Sequence, residues 1–134
     1  VALMGNATDT PGLRVLVVED SDAIVDRLLE LLRRQLPLEH VEAVDSAGDA
    51  LAAPGPWDAV ILDVGLKEGN GFAVLRTLRR RPGPQPFVVM LTNYGRPEFR
   101  ALASSFGAEE FLRKDTDFER LPEVLRPLAE RRLH

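Results

Sequence analysis

The chain contains no cysteine. That removes disulfides, thiolate metal sites and thiol nucleophiles together, and it leaves the redox compartment open. Histidine is nearly as scarce. His40 and His134 stand far apart with no second histidine beside either, so a histidine-based zinc site is not expected. An excess of basic charge is also missing. A formal net charge of -4 runs against a general nucleic-acid binder, which carries a basic face, so no direct nucleic-acid contact is expected. No apolar run approaches the roughly 20 residues that a membrane-spanning helix needs. The opening VALMGNATDTPG has no cationic region ahead of an apolar one, as a secretory signal would. No membrane association is expected, and a cytoplasmic location is the reading that remains. Residues 1–11 read as a loose N-terminal segment outside the fold.

What is present is an ordinary globular composition, with 45% hydrophobic and 28% charged residues in 134, enough for one domain over residues 12–134. Short apolar runs recur between longer amphipathic segments. Leu13 to Val18 is dense in β-branched residues and reads as a strand. His40 to Val44 alternates more weakly. Ala59 to Leu62 and Phe87 to Leu91 are continuous apolar runs, the pattern of strands buried on both faces, and Glu109 to Leu112 is the last and shortest. Helical patterns lie between them: Asp22 to Leu36 behind a Ser21 cap, Ser46 to Ala53, Phe72 to Arg81, and Glu98 to Phe106 behind Pro97. The final helix falls within Phe118 to Leu133, where Pro127 predicts a bend or break. The run Arg79-Arg80-Arg81 reads as a solvated helix end, favoured there by the helix dipole.

Strands alternating with helices predict an α/β fold, a doubly wound five-stranded parallel sheet in the flavodoxin-like order 2-1-3-4-5. In such sheets functional groups gather beyond the carboxyl ends of the strands. The stretch WDAVILDVGLKEGNGFAVL raises the matter directly, because it runs a buried strand into Asp63 and then into a glycine-rich loop. A carboxylate there is costly unless something pairs with it. The other strand ends deliver Glu19 and Asp20, Thr92, and Lys114. Crowded carboxylates need a cation among them, and hard oxygen ligands favour magnesium over zinc. Carboxylates, magnesium, a hydroxyl and an ammonium form a set suited to phosphoryl transfer.

With these pieces in order, the sequence resembles a receiver domain of two-component response regulators, over roughly Gly12 to Arg132. The resemblance rests on VVEDS (Val17 to Ser21), ILDVGLKEGNG (Ile61 to Gly71), MLTN (Met90 to Asn93) and FLRK (Phe111 to Lys114). It implies that Asp63 accepts a phosphoryl group from a phosphohistidine donor. Asp20 and Glu19 would ligate Mg2+ with Asp63 and the backbone carbonyl of Gly65. Lys114 would pair with Asp63 and then with the phosphoryl group, Thr92 would turn its hydroxyl to that group, and Phe111 would swing inward as the switch. The implied partners are a sensor histidine kinase or histidine phosphotransfer protein, and a downstream target or second copy reading the helix 4, strand 5, helix 5 face. Such a module is no enzyme beyond its own phosphorylation and dephosphorylation. Because the last helix closes the sequence, the expectation is a stand-alone receiver or one excised from a longer regulator.

Departures from the family pattern fall at Lys67 and Asp115, where proline is usual, and at Asn93, where a very small residue is usual. Without the proline, the loop after Lys114 is expected to be reshaped or strained, since a cis bond to a non-proline residue costs ~2.5–4 kcal/mol. Asn93 and Tyr94 are expected to crowd the mouth of the site. These departures motivate an alternative, a binding-only pseudo-receiver. A phosphatase of the haloacid-dehalogenase type is a further rival, disfavoured because Gly65 stands where that chemistry places a second acid.

Overall fold

The computed structural model describes residues 12–93 and 96–133. The elements run in order as β1 (Leu13–Val18), α1 (Asp22–Gln35), β2 (Leu38–Val44), α2 (Ala47–Ala52), β3 (Ala59–Asp63), α3 (Gly71–Arg80), β4 (Phe87–Thr92), α4 (Pro97–Ser105), β5 (Glu110–Arg113), a 3-10 turn (Phe118–Arg120) and α5 (Leu121–Leu133). The five strands form one sheet in the order 2-1-3-4-5, all parallel, as expected.

The period of two along each strand splits the core into two layers. Val15, Val17, Ile61, Val89, Leu91 and Leu112 face α1 and α5, where Leu28, Leu32, Leu121 and Leu125 close over them. Leu16, Val18, Val60, Leu62, Val88 and Met90 face the other way, against Ala50, Val74, Leu75, Leu78 and Ala103 of α2, α3 and α4. Strands β1, β3 and β4 are therefore buried on both sides. The helix starts are capped by side chains. Ser21 accepts from Ile24 N–H, Ser46 from Asp49 N–H and Asn70 from Ala73 N–H. Pro97 occupies the first turn of α4, where its missing N–H costs nothing.

Two expectations are corrected. Strand β2 begins at Leu38, ahead of His40. Helix α5 does not break at Pro127 but runs unbroken from Leu121 to Leu133. Pro127 and Glu123, whose carbonyl it leaves without a helical partner, both lie on the exposed face. Water can hydrate that carbonyl, while Leu121, Leu125 and Ala129 hold the opposite face in the core. Residues 1–11, Tyr94 and His134 lie outside the described residues.

Arg79 is a further correction, because its side chain is only 19% exposed. Its Nε and Nη2 donate to Gly107 O at 3.0 and 2.7 Å, and Nη1 donates to Pro86 O at 3.0 Å. Nη2 also meets both oxygens of Glu109, whose Oε1 accepts from Val88 N–H at 2.7 Å. One guanidinium thus ties the end of α3 to the entries of β4 and β5. A lysine has no planar fork and reaches only part of this set. Arg79→Lys is expected to lower stability by about 1–3 kcal/mol in urea unfolding, because buried acceptors lose charged donors.

Candidate functional site

The parallel register sets the site. Val18 of β1 pairs with Leu62 of β3, so the residues that follow, Glu19 and Asp63, come level at the carboxyl edge. Thr92 of β4 pairs with Arg113 of β5, which brings Lys114 to the same edge. The order 2-1-3 reverses the winding between β1 and β3, and the edge opens there.

Four polar residues are buried at this edge: Glu19 (4% exposed), Asp63 (7%), Thr92 (0%) and Lys114 (8%). The Lys114 ammonium donates to Asp63 Oδ2 at 3.1 Å and lies against Glu19 Oε1 as an ion pair. Gly65 N–H donates to Asp63 Oδ1 at 3.3 Å. Ser21 N–H donates to Glu19 Oε2 at 3.0 Å. Asp20 stands beside them, partly open to solvent. Carboxylate oxygens of Glu19, Asp20 and Asp63 lie within 4.8 Å of one another.

Electrostatics follow from this crowding. Burial raises the Asp63 pKa to about 6; Lys114 pulls it down and Glu19 pushes it up. For Lys114, burial works against the charged form, but its contacts with Glu19 and Asp63 prevail and hold its pKa above the ordinary lysine value. Three carboxylates against one ammonium leave an excess of negative charge in a poorly hydrated corner. Among the described residues Glu19 Oε1 has the Lys114 ammonium as its ion-pair partner and no further hydrogen bond. An all-oxygen donor set with spare negative charge fits a hard divalent cation.

Glu19, Asp20, Asp63 and Lys114 thus meet from the ends of β1, β3 and β5, Thr92 is buried at the end of β4 between β3 and β5, and Gly65 sits beside Asp63 through its amide. Thr92 accepts Lys114 N–H through its carbonyl at 2.8 Å, so β4 and the lysine are tied at the backbone too. Phe111 is 5% exposed and packs in the core layer, with the Arg100 guanidinium 5.1 Å from its ring centre. Lys67 and Asn93 are both exposed.

Among the described residues the one cis peptide bond is Gly55-Pro56, so Lys114-Asp115 is trans. Arg113 forks onto the Asp115 carboxylate at 3.0 and 2.6 Å. That contact, first of all, lowers the Asp115 pKa. The Asp115 charge is matched locally, and its side chain is exposed. Asp117 was not singled out from sequence, and Arg79 was read only as part of a solvated helix end. Both act on backbone groups through tertiary or turn contacts that leave no periodic signal, although an aspartate just ahead of an apolar helical start is a capping cue.

Comparison with known proteins agrees with this geometry. Residues 15–126 match the family model described as the response regulator receiver domain. The chain belongs to the receiver domains of response regulators. It is 38% identical over 125 residues to the transcriptional regulatory protein TcrA of Mycobacterium tuberculosis, covering 90% of this chain and 47% of that protein. It is 32% identical over 117 residues to the sensory transduction protein LytT of Bacillus subtilis, covering 85% of this chain and 47% of that one. This receiver therefore spans about half the length of those curated relatives. Its structure superposes on the signal receiver domain of a putative Luxo repressor protein from Vibrio parahaemolyticus with a TM-score of 0.79 at 25% identity, over 90% of this chain and 92% of that one. Receiver domains are signalling modules that work with histidine kinases and downstream effectors, and are not enzymes in the ordinary sense. Among the described residues, no helix of this receiver is long and apolar enough to cross a membrane.

Proposed function

We propose that this chain, over residues 12–134, is a cytoplasmic phosphoacceptor that takes a phosphoryl group onto Asp63 in a magnesium-dependent reaction. The observation that carries the reading is the convergence of Asp63 with Lys114, Glu19 and Asp20 at one buried strand edge. Asp63 is the nucleophile. One of its carboxylate oxygens bonds to phosphorus as the bond from phosphorus to the donor imidazole nitrogen breaks, and the electron pair leaves with that nitrogen. Glu19, Asp20, Asp63 and the Gly65 carbonyl would hold Mg2+, which when bound neutralises charge on the phosphoryl oxygens.

The chain's own groups do the rest. Lys114 already touches the acceptor oxygen and needs only a small displacement to reach a phosphoryl oxygen. Thr92, wholly buried one strand away, would give its hydroxyl to the same group. Phe111, buried in the core layer with Arg100 over its ring, would be fixed inward, so phosphorylation shifts the population of the α4–β5–α5 face. A sensor histidine kinase or histidine phosphotransfer protein is the donor, and a target or second copy reads that face. Attack of water on the acyl phosphate would reset the site, so the chain catalyses only its own phosphorylation and dephosphorylation. No described residue favours the binding-only alternative.

The test is incubation with acetyl phosphate, followed by intact mass. One phosphoryl group is expected to add only when Mg2+ is present, and hydroxylamine should remove it, as it removes acyl phosphates. No saturable mass gain, or a gain that resists hydroxylamine, would sink the reading. Sustained turnover of phosphate esters would point to a hydrolase.

A further inference from the structure

Lys114 stands one residue past the end of β5, in a loop without regular structure of its own. Its ammonium must nevertheless meet two carboxylates at once. The loop is closed by one residue. Asp117 Oδ2 accepts from Arg113 N–H at 3.0 Å, and Asp117 N–H donates to Arg113 O at 2.9 Å. Both backbone groups of Arg113 that point into the turn are therefore taken by Asp117, and Lys114 is the next residue inside the ring. Lys114 N–H is in turn anchored on Thr92 O at 2.8 Å.

An aspartate at this place, directly before the 3-10 turn, would ordinarily cap that turn with its carboxylate. Here it makes no such side-chain bond. Its oxygen reaches backward to Arg113, and its side chain is 20% exposed, with Arg120 at 3.8 Å as a loose ion pair. The Arg113 guanidinium is occupied by Asp115 and does not compete for Asp117.

We propose that Asp117 is a positioning residue for Lys114: it closes the five-residue turn from Arg113 to Asp117 and so fixes where the lysine stem leaves the backbone. The inference rests on the phosphoacceptor reading for its rate prediction, but not for its geometry. What matters is an acceptor oxygen on the Arg113 amide, not the charge. Asparagine keeps that oxygen and alanine removes it.

The experiment compares the full chain with Asp117→Asn and Asp117→Ala. At saturating Mg2+, Asp117→Ala is expected to slow phosphorylation by acetyl phosphate about tenfold or more, since small misplacements of a positioned group cost this much. Asp117→Asn should stay within about twofold of wild type, and Mg2+ affinity by calorimetry should move less than about threefold in either variant. A general structural defect would lower metal affinity along with the rate. Equal losses in both variants, or none in Asp117→Ala, overturn the proposal.

A double-mutant cycle with Lys114→Met in metal-free protein decides it independently. In urea, Asp117→Ala should change the unfolding constant at least about threefold less when Lys114 is already gone. Additive effects would overturn the positioning role. If wild type itself takes up no phosphoryl group, the functional reading falls while this cycle still decides the geometry.

Discussion

Asp63→Asn is expected to gain no phosphoryl mass and, without divalent cations, to melt at a higher temperature than the wild-type chain. Both effects have one cause. Asp63 is 7% exposed, beside Glu19, and burial raises its pKa to about 6 from an ordinary 3.8. The ionised form is therefore held at a cost that the Lys114 contact does not remove. The sign follows from linkage. Protons bind more tightly to the folded chain at this carboxyl, so its penalty is full above about pH 6, shrinks as pH falls through that value, and vanishes below about pH 4. Asparagine keeps an oxygen for Lys114 and sheds the charge. At pH 7 the gain should be about 1–3 kcal/mol, or roughly 4–11 °C in melting temperature. It should fade towards pH 4, and saturating Mg2+ should narrow it at pH 7 by favouring the wild-type carboxylate. A variant that melts lower than wild type at pH 7 without metal would mean that the charge was not held at a cost. A variant that still gains a labile phosphoryl group would move the acceptor elsewhere.

The strands that carry the site were the most legible part of the fold, for a physical reason. Strands β1, β3 and β4 are buried on both faces, so β3 and β4 are apolar up to their last residue and β1 is interrupted only by Arg14, and their extents agree with the sequence reading to within one residue. Strand β2 was shortened because it is an edge strand with no fully buried residue, and Leu38 and Glu39, just after Pro37, look like loop. Strand β5 slipped by one residue, since Glu109 spends its carboxylate on Val88 N–H and Arg79 outside the strand. Arg79 was misread for the same kind of reason. Three consecutive arginines look alike in sequence, and only the fold brings Pro86, Gly107 and Glu109 to the first of them.

The acidic and lysine groups were legible because a strand ending fixes where the next side chain lands. Parallel register converts the endings of four strands, β1, β3, β4 and β5, into one cluster. The loop after Lys114 was not legible in that way. Its closure by Asp117 depends on a turn in which one side chain bonds a backbone amide four residues back. Nothing periodic marks that, and the missing proline only signalled that something else had to hold the turn.

Gly71→Ala is expected to be among the most destabilising single changes near the site, although alanine is the better helix former. Gly71 opens α3, and its N–H donates to Val64 O at 2.9 Å while Asn70 caps the helix behind it. A Cβ there would overlap the carbonyl oxygen of Asp63 and stand 3.0 Å from its carbonyl carbon and 3.1 Å from Met90 Cε. Met90 Cε is the end of a flexible chain and can yield. The Asp63 carbonyl belongs to the backbone of a strand buried on both faces and cannot. Helix propensity favours alanine by at most about 1 kcal/mol. Moving α3 away from β3 gives up that close packing and the Val64 bond, which together amount to about 2–4 kcal/mol. The clash therefore prevails, and the acceptor residue itself is what moves. Gly48, exposed in α2 with open space where a Cβ would go, is the control: Gly48→Ala should raise stability by roughly 0.5–1 kcal/mol. Urea unfolding of the two variants beside wild type reads the contrast. A Gly71→Ala chain as stable as Gly48→Ala would mean that α3 does not press on the acceptor strand as closely as described.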